Sequence, residues 1–417
     1  MKISHLARLL FHSSLILLPE TQGHPVPWDN TRGLIQARDA LGYIEVELLN
    51  QDTGGYFTLP FGSQGSLNTL IVDTGSSDTW VYDGNSDDCR HNGCAQNNFF
   101  DYSQSTTFSK RNITDPFTLA YLDGTSVSGY YAYDQVAFGS TTLKEVPFAI
   151  VTTAPQSYVS QFVGLGFPEY ASLAIKGGHV FPSIPQLFKS QGLTKRTAFS
   201  YWLNGNSKAG HVIFGGYDKS RVLDNQLFTL KLVQDGKWSL AAGKPLTYSV
   251  DFDSITQNGN TVTAKDTKYV ALLDTGSTFS YFDQTTYDNI KKTLGATYSA
   301  EEDCDVLPCS AGDKIEFQFN FGKHSITVKG SAFIFQGYMS TCRFGVGVIG
   351  SKETHISLGI PFFRSAYTIF DQEAIEVQIG QAINDKDTVK DIAVIPEYDG
   401  VDDIEGEDAL EWCSADY

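Results

Sequence analysis

The run Leu70-Ile71-Val72-Asp73-Thr74-Gly75-Ser76-Ser77 returns in the second half of the chain as Ala271-Leu272-Leu273-Asp274-Thr275-Gly276-Ser277-Thr278. Three apolar residues leading into Asp-Thr-Gly describe a buried strand that delivers a carboxylate to a tight turn, where glycine permits close approach of backbone. One copy would be an ordinary turn. Two copies, each framed by an apolar strand and followed by serine, imply a duplicated lobe. A second pair of segments supports the duplication. Phe162-Val163-Gly164-Leu165-Gly166 follows the first copy and Ile356-Ser357-Leu358-Gly359-Ile360 follows the second, both apolar strands ending at glycine. At 417 residues the chain exceeds one ordinary core and suits two lobes.

The rest of the chain agrees with a β architecture. Its 38 Gly, 28 Phe and 21 Tyr against 2 Met favour sheets joined by many turns. Alternating runs such as Tyr43-Ile44-Glu45-Val46-Glu47-Leu48 and Tyr130-Tyr131-Ala132-Tyr133 are separated by Gly, Asp and Ser turns. The first ordered strand is expected over Gly42–Leu49. Helices are expected to be few and short, at Ile184–Gln191 just after Pro182 and at Gln284–Thr293, capped by Thr285 and Thr286. The expected fold is all-β and bilobal, with pseudo-symmetric lobes over residues 41–222 and 223–383.

The ends of the chain read differently. Residues 1–22 carry Lys2 and Arg8 ahead of an apolar run, as a secretory signal does, and residues 23–40, with Pro25, Pro27 and two arginines, suit a short processed prosegment. From Asn384 to Tyr417 the strand pattern fades and acidic residues gather, which describes a solvated tail. No later stretch is long and apolar enough to span a membrane. A net charge of −18 disfavours nucleic acid and anionic membrane surfaces as partners and suits an acidic medium. A secreted, soluble monomer is expected. In that compartment six cysteines read as disulfides. Cys89 and Cys94 enclose a short loop. Cys304, Cys309 and Cys342 lie in the second half, so one bridge per half is expected, with Cys413 joined to whichever of Cys304 and Cys309 is left by Cys342. Asn112-Ile113-Thr114 is a glycosylation acceptor sequence.

Four segments, the first of them an extension of the repeat, resemble the pepsin family of aspartic endopeptidases, from about Gly42 to Gln381. The segments are Asp73 to Val81 with Trp80; Tyr121-Leu122-Asp123-Gly124-Thr125, similar to a flap tip; His211 to Asp218; and Gly359-Ile360-Pro361-Phe362-Phe363-Arg364-Ser365 onward to Asp371. The wording is nearest to secreted fungal, candidapepsin-like members. The resemblance implies that Asp73 and Asp274 hold a lytic water and need no cofactor or metal. Thr74 and Thr275 would lock the two loops, supported by Gly75 and Ser277. Ser76 would hydrogen-bond Asp73, and Thr278 would do the same for Asp274. Tyr121 would close over an extended polypeptide, hydrogen-bonded to Trp80, with Asp123, Gly124, Thr125, Phe162 and Gly276 lining the substrate path. Pepstatin-type inhibitors would bind there. Two carboxylates at close range cannot both ionise cheaply and titrate in two steps, a behaviour known from aspartic protease dyads and carried over with the resemblance.

Three departures stand out. Leu122 replaces the usual flap glycine, Ser160-Gln161 replaces an acidic turn, and Ile360-Pro361 replaces the acidic residue after Gly359. The prosegment is also short for the family, although trimming after Arg38 remains open to it. The rival readings are a catalytically silent pepsin-fold binding or inhibitor protein, and a hydrolase of another class. Both Asp-Thr-Gly triplets are whole, and no Gly-x-Ser-x-Gly elbow or His-Glu-x-x-His pair occurs.

Overall fold

Alternation along the strand Ile44–Gln51 buries Ile44, Val46 and Leu48 and turns Glu47 and Leu49 outward. The strand begins later than the expected Gly42 because Gly42 has φ 75° and turns the chain instead of extending it. The computed structural model describes residues 42–92, 98–111, 115–120, 126–154, 160–234, 245–336, 341–350, 355–384 and 389–399. The expected signal and prosegment lie outside these residues, as do Cys94, Asn112, the flap tip at residues 121–125 and Cys413.

Ala198–Leu203 and Ala366–Asp371 are buried at every position, the signature of strands covered on both faces. They lie inside a sheet of 13 strands among the described residues. Its first six strands are Phe228–Lys231, Glu376–Gln381, Ala366–Asp371, Ala198–Leu203, Ala209–Phe214 and Ile44–Gln51, drawn from both halves of the chain. The sheet continues through Gly54–Phe61, Ser66–Asp73, Gln161–Gly164, Trp80–Tyr82, Thr141–Thr153 and Ser126–Phe138 to Pro116–Ala120. The second half adds a five-stranded sheet in the order Ser249–Phe252, Tyr269–Leu273, His355–Leu358, Ser280–Asp283, Val346–Gly350, and two four-stranded sheets. The molecule is therefore the bilobal all-β protein that the repeat implied.

The duplicated segments occupy matching places. Ser66–Asp73 runs parallel to Gln161–Gly164 with Asp73 opposite Gly164, and Tyr269–Leu273 runs parallel to His355–Leu358 with Leu273 opposite Leu358. Parallel pairing at the centre of a sheet explains why these runs are continuously apolar rather than alternating. One apolar cluster passes beneath both, including Phe57, Phe199, Phe370, Phe319 and Phe362. Truncation of such a buried phenylalanine costs about 3–5 kcal/mol, so the two turns rest on a stiff bed.

The two expected helices are Ile184–Ser190 and Gln284–Leu294. Ser183 caps the first and exchanges hydrogen bonds with Gln186 in a capping box. The second is capped by Asp283 rather than by Thr285 or Thr286. Its carboxylate accepts the amides of Thr285 at 2.9 Å and Thr286 at 3.1 Å, and an anion at a helix N-terminus is favoured over a hydroxyl.

Cys309 and Cys342 form a disulfide with their Cα atoms 5.0 Å apart. Cys89 is also disulfide-bonded. Cys304, expected to share a bridge, keeps a free thiol among the described residues, with Arg343 beside it. The expected solvated tail also needs correction at its start. Ile392–Val394 pairs with Gly216–Asp218, and Ile395 is buried against Trp202 and Tyr367. The apolar run Ile392, Ala393, Val394, Ile395 outweighs the acidic residues around it. No helix among the described residues is long and apolar enough to cross a membrane.

Candidate active site

The two Asp-Thr-Gly turns meet between the lobes through a reciprocal lock. The Thr74 amide donates to Thr275 Oγ1 at 3.0 Å, and the Thr275 amide donates to Thr74 Oγ1 at 3.0 Å. Each hydroxyl then donates across the interface, Thr74 to the Leu273 carbonyl at 2.6 Å and Thr275 to the Val72 carbonyl at 2.7 Å. Both threonines are buried, so these bonds face little competition from water. The glycines let the turns close. A Cβ on Gly75 would stand 2.5 Å from the Asp274 carboxylate, and one on Gly276 would stand 2.3 Å from Asp73 Oδ1. Each carboxylate thus lies over the opposite turn, and the two share a hydrogen bond.

Their surroundings differ. Asp73 is only 5% exposed, and its carboxylate accepts the Gly75 amide at 2.8 Å and the Ser76 hydroxyl. Asp274 is half-buried and accepts the Gly276 amide at 3.0 Å and the Ser277 amide. Burial pushes the Asp73 carboxyl above its ordinary value, opposed by the Ser76 hydroxyl and the Gly75 amide. Asp274 is pushed well above its ordinary value, first by burial and then by the negative charge of Asp73. The Ser76 hydroxyl and the Gly75 amide thus favour the ionised form of Asp73, whereas the charge of Asp73 disfavours ionisation of Asp274.

Thr278 does not hydrogen-bond Asp274. Its hydroxyl donates to the Thr53 carbonyl at 2.9 Å, in the turn between Ile44–Gln51 and Gly54–Phe61. The reason is positional: Ser76 is the third residue after Asp73, whereas Thr278 is the fourth after Asp274. Its counterpart is Ser77, which likewise turns away and donates to the Phe167 carbonyl at 2.6 Å.

Trp80 is fully buried in a cluster with Phe117, Val127 and Tyr131, with Phe162 packed against it at a ring distance of 6.1 Å. Phe117 and Val127 lie on the two strands that flank residues 121–125, so Trp80 packs the base of that hairpin. Tyr121, Asp123, Gly124 and Thr125, and with them the expected Tyr121–Trp80 bond, lie outside the described residues. Gln161, one of the departures, is buried. Its Oε1 accepts the Tyr82 amide at 2.7 Å while its Nε2 faces the Asn68 side chain and the Thr69 carbonyl, both at 3.4 Å. An ionised acid there would have no donor to offer those acceptors.

Sequence reasoning missed several neighbours. Tyr170 stands close enough to both carboxyls that their charge, after burial, raises its phenol. Tyr248 and Gln372 bond to the backbone behind the Asp73 turn, and Thr53 receives Thr278. Of these, Gln372 has the only sequence cue, since it directly follows the closing segment that ends at Asp371.

Two duplicated turns that bring one carboxyl from each lobe into a shared hydrogen bond define an aspartic-type endopeptidase. The comparisons agree, and the chain belongs to the eukaryotic aspartyl protease family, whose profile matches residues 56–382. It is 31% identical over 356 residues to secreted aspartic protease 8 of Candida albicans, covering 82% of this chain and 78% of that protein. Against candidapepsin of Candida tropicalis it is 30% identical over 359 residues, covering 84% and 83%. Among solved structures, the aspartic proteinase of Irpex lacteus matches with TM-score 0.68 over 83% of this chain and 99% of that one, at 18% identity, a likeness of fold.

Proposed function

We propose that this protein is a secreted endopeptidase that works at acidic pH, with Asp73 and Asp274 as its catalytic pair. Asp73, ionised, takes a proton from a water held between the carboxyls. Asp274, protonated, donates to the carbonyl oxygen of the scissile peptide as the water attacks its carbon. The tetrahedral intermediate then collapses with proton transfer to the leaving amine, and no covalent enzyme intermediate forms. Residues 121–125 close over an extended polypeptide that adds to the exposed strand edges. The observation that carries this reading is the meeting of two carboxyls across the threonine lock, each lying over the opposite turn, one held by the Ser76 hydroxyl and the other loaded with its neighbour's charge.

The same reading assigns residues 1–22 to a signal and residues 23–40 to a prosegment removed after Arg38. The lobes are then residues 41–222 and 223–383, Asn112 is glycosylated, and the enzyme is a monomer inhibited by pepstatin-type molecules. The names of relatives such as secreted aspartic protease 8 favour the extracellular site. The test is digestion of denatured haemoglobin by protein trimmed after Arg38, at about pH 3–5, where one carboxyl of such a pair is ionised. Cleavage that pepstatin blocks and Asp73→Asn abolishes supports the proposal. A folded wild type that cuts nothing makes the protein a silent binding relative instead.

A further inference from the structure

The threonine lock joins the two turns at the front, but the Asp73 turn has a second attachment behind it. Its backbone is held by the segment Leu165-Gly166-Phe167. The Leu165 amide donates to the Asp73 carbonyl at 2.7 Å, and the Gly166 amide donates to the Ser76 carbonyl at 2.9 Å. A Cβ on Gly166 would stand 2.5 Å from Ser77 Oγ, so the contact leaves no room for slack. The carbonyls of this segment are in turn held by two side chains from the second half of the chain. Tyr248 donates its hydroxyl to the Leu165 carbonyl at 2.9 Å. Gln372 Nε2 reaches the Gly166 carbonyl at 3.0 Å, the Leu165 carbonyl at 3.3 Å and the Tyr248 hydroxyl at 2.9 Å.

Both side chains are themselves fixed. Ser183 donates to Gln372 Oε1 at 3.0 Å, and the Gln372 amide donates to the Thr197 carbonyl at 3.1 Å. Tyr248 is fully buried against Phe167 and Phe370, and its own carbonyl accepts the amide of Leu273 at 3.0 Å, the residue before Asp274. One unbroken series of contacts therefore runs from the Asp73 turn through residues 165–166 and Tyr248 to the Asp274 strand. The matching segment of the second lobe is held differently. There the matching amide of Ile360 donates to the Ser277 carbonyl at 3.0 Å, and the Gly359 carbonyl is taken up by Phe362 and Phe363 in the helix Ile360–Phe363. At this contact the Asp274 turn is braced by its own lobe, although Thr278 further along reaches the Thr53 carbonyl of the first lobe at 2.9 Å, and the Asp73 turn is braced by the other.

We infer that Gln372 and Tyr248 are positioning residues of the active site, which set the Asp73 turn against Asp274 from behind. The inference rests on the proposed role of the two carboxyls. A turn released on one side lets the carboxyls drift, and a small misplacement of reacting groups lowers turnover more than binding. It also weakens the coupling between them, so their two apparent titrations move closer together. The charged neighbours of Gln372 are Asp371, paired with Arg196 at 2.6 Å and raised by burial, and Glu373, paired with Lys189 at 2.5 Å; both are present in wild type and variants alike, so the readout is the difference between the profiles.

Gln372→Leu and Tyr248→Phe keep most of the buried volume and remove the polar contacts. Kinetics on a chromogenic peptide, referred to the folded fraction from near-ultraviolet circular dichroism, should show kcat reduced about tenfold with KM within about twofold. The pH–rate profile should narrow from both sides by about half a unit. The double variant should lose little more than either single one, since both side chains act on the Leu165 carbonyl and on each other. A kcat per folded molecule and a pH profile that match wild type would overturn the inference. If Gln372→Leu fails to fold, Tyr248→Phe, which removes one hydroxyl, decides the matter by the same two readouts. Asp73→Asn run alongside separates the two ideas: an active Asp73→Asn sinks the catalytic reading itself, whereas unaltered Gln372 and Tyr248 variants beside a dead Asp73→Asn sink only this one.

Discussion

The two Asp-Thr-Gly turns have nearly the same sequence and quite different surroundings. Asp73 is more deeply buried, receives a side-chain hydroxyl and is braced from the opposite lobe. Asp274 is less buried, relies on backbone amides and carries the repulsion of its partner. A duplicated sequence thus yields an asymmetric pair, which suits the proposed mechanism, in which one group takes a proton while the other gives one. The asymmetry arises from residues outside the repeated triplet. Substitutions can therefore abolish it, tilt it or leave it untouched.

Removing one carboxyl has the largest effect. Asp73→Asn and Asp274→Asn should each lower kcat by about three orders of magnitude or more, because general acid–base catalysis of this kind contributes about 10²–10⁴-fold per group. The stability effect has the opposite sign. Both carboxyls titrate higher in the fold than in the unfolded chain, so the folded state binds more protons above the ordinary carboxylate range. The stability from this source is full below that range and is lost as pH rises through the raised values. Each unit of displacement is worth about 1.4 kcal/mol. Asp274→Asn mimics the protonated partner, so its Tm should match wild type near about pH 4 and exceed it at about pH 7. Thermal melts across pH check this. Parallel curves at every pH would mean that the carboxyls do not feel each other.

Ser76→Ala tilts the pair without dismantling it. The hydroxyl donates to the ionised form of Asp73, and a charge-assisted bond of this kind is worth about 1.5–3 kcal/mol. Losing it makes Asp73 harder to ionise, so the acid limb of the pH–rate profile should move up by about one unit, with the other limb nearly fixed. A shift of both limbs together, or of neither, would show that the two carboxyls are alike in this respect.

How much of this asymmetry is legible in the chain depends on the distance over which each contact acts. The repeated triplets, their apolar strands and the helix at Ile184–Ser190 are local patterns, fixed by side-chain period and by capping within a few residues. Even locally, the cap of Gln284–Leu294 escapes a reading by threonine preference, because Asp283 also ends the strand before it. What the sequence hides are pairings across the fold. Thr278 meets Thr53 at a separation of 225 residues, and Gln372 meets Gly166 at 206, with nothing in either neighbourhood to mark the partner. Cys342 has two candidates at similar distance along the chain, and strand register chooses Cys309. The segment 389–399 looks solvated by its charge, but Ile392 to Ile395 dock by shape and backbone pairing.

The smallest effect sharpens the contrast between the turns by probing the residue that differs from expectation. Thr278→Val preserves the branched shape and removes the bond to the Thr53 carbonyl, which is exposed enough for water to replace the lost donor. The cost should be about 0.5 kcal/mol, near the low end for a hydrogen bond, and Tm should fall by only about 1–2 °C. Because the hydroxyl points at the other lobe and away from Asp274, kcat should stay within about twofold and both limbs of the pH profile should coincide with wild type. Measured beside Ser76→Ala on the same substrate, this variant isolates position from chemistry. If Thr278→Val shifts the basic limb downward, its hydroxyl reaches Asp274 during catalysis, and the two turns are more alike at work than at rest.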